Sequence, residues 1–181
     1  MSLNTNEPSK TRTVRIKEES DLVLEREADR AGTSVNALVS NLVDRYVDTL
    51  RFFQSGSMLS MSGNILETLL GHISDAEIAD DAYALSKSLV REGLMQLGMK
   101  VNYDNVLWYI RQVLGKYYGW FRCDYNKGDA SDMLHLSHNY GYKWSVFLSS
   151  YITSILKEVV NLQLNTVISD KSLNVQILKK S

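Results

Sequence analysis

Thr11, Thr13 and Arg15 stand at alternate positions near the start of the chain, interleaved with Val14 and Ile16. In an extended strand successive side chains point to opposite faces. Two hydroxyls and a guanidinium would then share one face, and the two apolar side chains the other. The polar row has the chemistry needed to touch base edges: arginine can grip guanine in bidentate fashion, and threonine offers a hydroxyl to any base and a methyl to thymine. Lys10, Arg12 and Lys17 surround this row with positive charge suited to phosphates. The plainer alternative is a charged edge strand that blocks aggregation and binds nothing.

A lone strand over residues 10–17 leaves its backbone groups unpaired and its apolar face small, so it requires a partner strand. None follows immediately in sequence. The next element is expected to be a helix over residues 22–31, capped by Ser20 or Asp21 and closed by Gly32. Its Glu25, Glu27 and Asp29 would keep it away from a polyanion. Ser34 suits the N-cap of a second helix. Val35, Leu38, Val39, Leu42, Val43, Tyr46, Val47 and Leu50 form its apolar stripe. At its start Thr33, Ser34 and Asn36 would present free N–H groups to a phosphate.

Strand, helix, Gly-Thr-Ser turn and helix, with this parity, resemble the ribbon-helix-helix family of DNA-binding proteins over residues 10–50. The resemblance implies a homodimer whose two strands form an antiparallel ribbon in the major groove of double-stranded DNA. It also implies that Thr11, Thr13 and Arg15 face the bases, while Val14 and Ile16 face the helices.

Residues 1–9 are polar and expected to be a disordered tail. Residues 51–57 read as a linker, and residues 58–181 as a second domain that dimerises or senses a ligand. There the pattern predicts a short strand at 58–62 and a helix capped by Asn64. A longer helix follows from Ser74 or Asp75 through Leu97. Asn102 caps another, with the stripe Val106, Leu107, Ile110, Val113, Leu114 and Tyr117. Two strands at 120–125 and 133–138 flank a turn at Asn126-Lys127-Gly128-Asp129. A strong helix spans 142–161, with Trp144, Phe147, Leu148, Tyr151, Ile152, Ile155 and Leu156 on one stripe. Two more strands, at 162–168 and 173–177, turn at Ser169-Asp170-Lys171-Ser172. The expected fold class is therefore α+β: a helical segment, then a β-β-α-β-β antiparallel sheet with a helix on one face. Its strand order is not deducible from the pattern.

With Phe121-Arg122-Cys123 and Leu134-His135-Leu136 before Gly141, this hairpin-helix-hairpin tail resembles the haem–nitric-oxide-binding and related small-molecule-sensing domains. The Tyr-x-Ser-x-Arg run that holds haem propionates in the haem-binding members is absent. The resemblance thus implies a fold and no haem, and no cofactor is expected.

Cys123, His135 and His138 are the candidate metal ligands; nickel-responsive ribbon-helix-helix repressors use His and Cys in a C-terminal domain. On one strand, however, His135 and His138 would point to opposite faces, and hydrogen-bonded histidines are the expectation. Trp108, Tyr109, Tyr117, Tyr118, Trp120, Phe121, Tyr140, Tyr142 and Trp144 cluster in sequence and could line an apolar pocket for a small molecule, or form core. The chain has no glycine-rich phosphate loop, no His-Glu-x-x-His and no Gly-x-Ser-x-Gly. Asp80-Asp81 reads as a solvated helix face, so an enzyme is not expected.

The whole chain of 181 residues has a formal net charge of −1. Attraction to nucleic acid must therefore come from a local patch. The single cysteine excludes an internal disulfide and fits a reducing compartment. No run is apolar enough to span a membrane, and the polar first residues lack a signal core, so a cytoplasmic protein is expected. The sequence reading is a DNA-binding transcriptional regulator, dimeric or tetrameric. Its rivals are an antitoxin-like assembly module in which the ribbon only dimerises, and a small-molecule or metal sensor.

Overall fold

A computed structural model of the chain describes residues 10–50 and 61–179. The expected tail at 1–9, the linker at 51–57 and residues 58–60 of the expected short strand lie outside the described residues. Met61 and Ser62 are not in a strand. The chain divides into two compact units, residues 1–48 and 49–181.

In the N-terminal unit, helix α1 spans Glu18–Ala31 and α2 spans Val35–Arg45. A π-helical segment, Tyr46–Leu50, continues α2. α1 begins before the expected Leu22, and its N-cap is Lys17 rather than Ser20 or Asp21. The Lys17 backbone is extended, and its carbonyl accepts from the N–H groups of Ser20 and Asp21. Glu18, Glu19 and Asp21 then occupy the first turn, where the positive end of the helix dipole favours carboxylates. Gly32 ends α1 as expected, at φ 62°. Only glycine adopts that left-handed conformation without steric cost. Its turn lets the Thr33 N–H reach the Ala28 carbonyl at 2.9 Å. Ser34 caps α2 through its hydroxyl, which accepts from the Ala37 N–H.

Residues 10–17 form no strand in the single chain. An isolated strand has nothing to satisfy its ladder, and one chain supplies no partner for it. The ribbon is thus not seen here.

Among the described residues of the C-terminal unit four α-helices precede or cross the sheet. These are α3 Gly63–Gly71, α4 Asp75–Gln96, α5 Tyr103–Trp108 and α6 Gly141–Ser154. α3 starts from Ser62, ahead of the expected Asn64. Ser74 and Glu77 close a reciprocal capping box on α4, and the Asn102 side chain caps α5. π-helical segments extend α5 over Tyr109–Tyr117 and α6 over Ile155–Val159. Asn161, at φ 55°, turns the chain out of the last helix.

The strands are β1 Arg122–Lys127, β2 Ser131–Ser137, β3 Gln163–Ser169 and β4 Ser172–Leu178. All pairs are antiparallel and the order is β1-β2-β4-β3. Asn126 and Lys127 belong to β1, so the first turn starts two residues later than the sequence suggests. Buried Asp132 explains this: its carboxylate accepts from the Gly128 N–H and draws the turn to 128–130.

α6 packs against α4 and against the sheet. Leu134, Leu136, Leu173, Val175 and Ile177 of the central strands are buried, as are Leu148, Tyr151, Ile152, Ile155 and Leu156 of the helical layer. Each such aliphatic side chain contributes about 1.5–3 kcal/mol when removed from water. Val106, Leu107, Ile110, Val113 and Leu114 join the same core, as their stripe foretold. The other sheet face carries polar side chains, including the pairs His135–Asn174 and Asn165–Gln176.

Candidate nucleic-acid interface

Lys10, Thr11, Arg12, Thr13, Arg15 and Lys17 are all exposed, as are Thr33, Ser34 and Asn36. None of the four cations between residues 10 and 17 makes an ion pair among the described residues, so a patch of like charge is left open to an anionic partner. The acidic side chains nearest in sequence are committed to α1, where Glu27 bridges Arg30. At α2 the Ser34 hydroxyl has taken the Ala37 N–H, leaving the earlier N–H groups of that first turn without intrahelical acceptors.

Among the described residues of this unit only Ala28 is buried. Val14 is 70% exposed, Val43 54% and Leu42 49%. Tyr46 and Val47, one turn on, are exposed too.

The metal candidates do not converge. Register places Cys123 opposite Leu136 and Asp124 opposite His135. Strand alternation therefore puts Cys123 on the helix-covered face and His135 on the open one. Burial pushes the Cys123 thiol up to about 11. His135 Nδ1 is paired with the Asn174 side chain at 2.8 Å. Among the described residues no group of three or more His, Cys, Asp or Glu side chains is placed to hold a metal ion.

His138 lies just past the end of β2 and is buried beside Ser145 of α6. The pairing looks like a nucleophile and its base, but the proton is in the wrong place. His138 Nδ1 accepts from the Tyr140 N–H, so the ring proton sits on Nε2 and is donated to Ser145 Oγ. The serine hydroxyl points on to the Asp170 carbonyl. A general base would have to accept from the serine instead.

A second polar cluster went unrecognised in the sequence. Asp132 accepts from Tyr103 at 2.6 Å and Tyr125 at 2.8 Å, and pairs with Lys179 at 3.1 Å. Burial alone would raise its pKa; the two phenols and the ammonium outweigh this and hold it at about 2. The available signal was period-two alternation: Asp132 shares parity with Leu134 and Leu136 and so falls on the apolar face. With every partner satisfied, the cluster fastens the hairpin to α5 and to the end of β4.

The aromatic residues mostly pack on one another. Trp120 meets Trp144, Phe147 and Tyr151 edge-on, and Trp144 stacks on Phe147 with centroids 4.7 Å apart. Of the aromatics named from the sequence, only Phe121 lines the cleft between the Tyr109–Tyr117 segment and β1.

No family model matches the chain, and no curated protein does. Among solved structures it is similar to that of a trafficking protein particle complex subunit 3 from Naegleria fowleri covalently bound to palmitic acid. Identity is 12% over 89% of this chain and 97% of that one, with a TM-score of 0.43. A likeness of that strength carries no argument about fold or function. No helix among the described residues is long and apolar enough to cross a membrane.

Proposed function

We propose that the chain is a homodimeric, cytoplasmic DNA-binding regulator that reads sequence through residues 10–50 in a ribbon-helix-helix arrangement. The supporting observation is the unsatisfied state of the N-terminal unit. Val14, Leu42, Val43, Tyr46 and Val47 are all exposed, and Ala28 is the single buried apolar residue among the described residues of this unit. A soluble helical pair of this size needs a partner to cover such a face. A second copy would cover it and supply the missing strand in one step. The Thr11, Thr13 and Arg15 side chains would then face the bases, with Lys10, Arg12, Lys17 and the start of α2 on phosphates.

Selection from random double-stranded DNA at about 0.15 M salt tests this. The expected product is an inverted repeat. Arg15→Ala should lose about 1–3 kcal/mol of specific binding. Lys10→Ala should weaken all sequences alike and lower the salt slope by about 1. Recovery of no sequence, or an unchanged affinity in Arg15→Ala, would overturn the proposal. Dimerisation without salt-sensitive DNA binding would favour a ribbon that serves assembly alone.

A further inference from the structure

One cleft in the C-terminal unit has a charge balance that the fold does not use. It lies between the Tyr109–Tyr117 segment and β1, with a volume of about 490 Å3. Arg111, Gln112 and Lys116 line it from the helical side, and Arg122 and Cys123 from the strand. Phe121 and Gly115 form an apolar part of its wall. Gly115 permits the close approach, since a Cβ there would stand 3.2 Å from the Phe121 ring.

None of the three cations has a carboxylate partner among the described residues. Arg111 lies over the Tyr125 ring at 4.9 Å, and Lys116 over Tyr117 at 5.5 Å. These contacts orient the cations without neutralising them. Asp124 shares a strand face with Arg122 two residues away, but makes no ion pair with it or with the other two cations among the described residues. The helix end that meets the cleft would ordinarily repel anions through its free carbonyls. Here the carbonyls of Val113, Leu114 and Gly115 already accept from Tyr118, Trp120 and Gly119.

We propose that this cleft binds a small organic oxyanion: a phosphate or carboxylate head held by Arg111, Lys116 and Arg122, with a short apolar body against Phe121. Planar guanidinium groups match either head in bidentate geometry. The volume falls in the range of small-molecule sites, about 300–1,000 Å3. The site concerns residues 111–123 and stands or falls separately from DNA reading by residues 10–50.

The test is calorimetric titration of the full chain with phenyl phosphate, benzoate, inorganic phosphate and phenol at fixed ionic strength. Phenyl phosphate or benzoate should bind, and whichever is tighter assigns the head group. Inorganic phosphate should bind at least ~10-fold more weakly for want of the apolar body, and phenol not measurably. Arg111→Gln and Arg122→Gln should each weaken the tighter ligand by ~10-fold, about 1.4 kcal/mol, while Lys171→Gln, in the β3–β4 turn, leaves it unchanged. The Arg122 side chain is exposed and makes no hydrogen bond or ion pair among the described residues, so its variant keeps the test meaningful if Arg111→Gln folds poorly. Equal loss in Lys171→Gln, equal affinity for phenol, or no binding of either anion overturns the proposal.

Discussion

The Nε2 of His138 stands 2.9 Å from the hydroxyl of Ser145, and both side chains are out of solvent. Burial lowers the His138 pKa to about 4, and the nearby Asp170 charge only partly offsets this. The imidazole is therefore neutral when folded and becomes basic on unfolding. Between about pH 6.5 and 4 the unfolded chain binds the extra proton, so stability must fall as the pH drops through that window. The expected loss by pH 4 is on the order of 3 kcal/mol. Urea midpoints of the parent and His138→Asn, measured from pH 7 to 4, should show a shallower slope in the variant.

A lower window belongs to Asp132. Its carboxyl is depressed to about 2 although burial opposes ionisation, because Tyr103, Tyr125 and Lys179 bind the charged form. The stability it contributes is present above the ordinary carboxylate value of about 3.9 and is lost as pH falls toward 2. Asp132→Ala leaves two half-buried phenols without their acceptor and returns the exposed Lys179 ammonium to water. It should cost about 1–3 kcal/mol in chemical denaturation, with Asp132→Asn losing less. Equal stability of Asp132→Ala and the parent at pH 7 would show that the cluster contributes nothing.

Gly93 of α4 supports the ring of Tyr109. A Cβ at Gly93 would lie 2.6 Å from the Tyr109 hydroxyl and 2.8 Å from the nearest ring carbon. The phenol is buried, which lifts its pKa to about 12, and it has no hydrogen-bond partner among the described residues. Gly93→Ala should therefore destabilise by about 1–3 kcal/mol, despite a gain of about 1 kcal/mol in helix propensity. Tyr109→Phe alone should be near neutral. In the double variant part of the loss should return, because the closest clashing atom is gone. Thermal melts of the four proteins complete the cycle.

The exposed face of α2 makes a prediction about assembly. If the proposed homodimer forms through this face, Leu42→Lys with Tyr46→Lys should turn it into a monomer in sedimentation equilibrium. Half-site affinity should then no longer be enhanced by pairing, and DNA binding should fall by at least ~10-fold. If the double variant remains a dimer, contacts elsewhere hold the copies together.

The caps were legible because they are local. Ser34, Ser74 and Asn102 each announce a helix start by a side chain that reaches three residues ahead, and Gly32 announces a stop. The stripe from Val106 to Leu114 was legible for the same reason. The pairing of β2 with β4 was not, since Leu134 and Val175 meet only after α6 and β3 have intervened. α1 started early because the acidic first turn outweighed the better cap at Ser20. The parity of Thr11, Thr13 and Arg15 could be read, but parity takes effect only once a second strand arrives. The cationic cleft had no motif at all: Arg111 and Lys116 come from a helix and Arg122 from a strand. Their common feature, the lack of carboxylate partners, is visible only in three dimensions.

The strand order leaves β1 and β3 as the two rims of the sheet. β1 carries Arg122, Asp124 and Lys127, charges that discourage another chain from adding on. β3 reads QLNTVIS, with no charge and no proline, and Val167 is 65% exposed in its middle. The molecule is thus lopsided in its resistance to misassociation: one rim is guarded and the other is adhesive. During refolding or at high concentration, runaway strand addition should begin at β3, and a lysine in place of Val167 would be the natural gatekeeper.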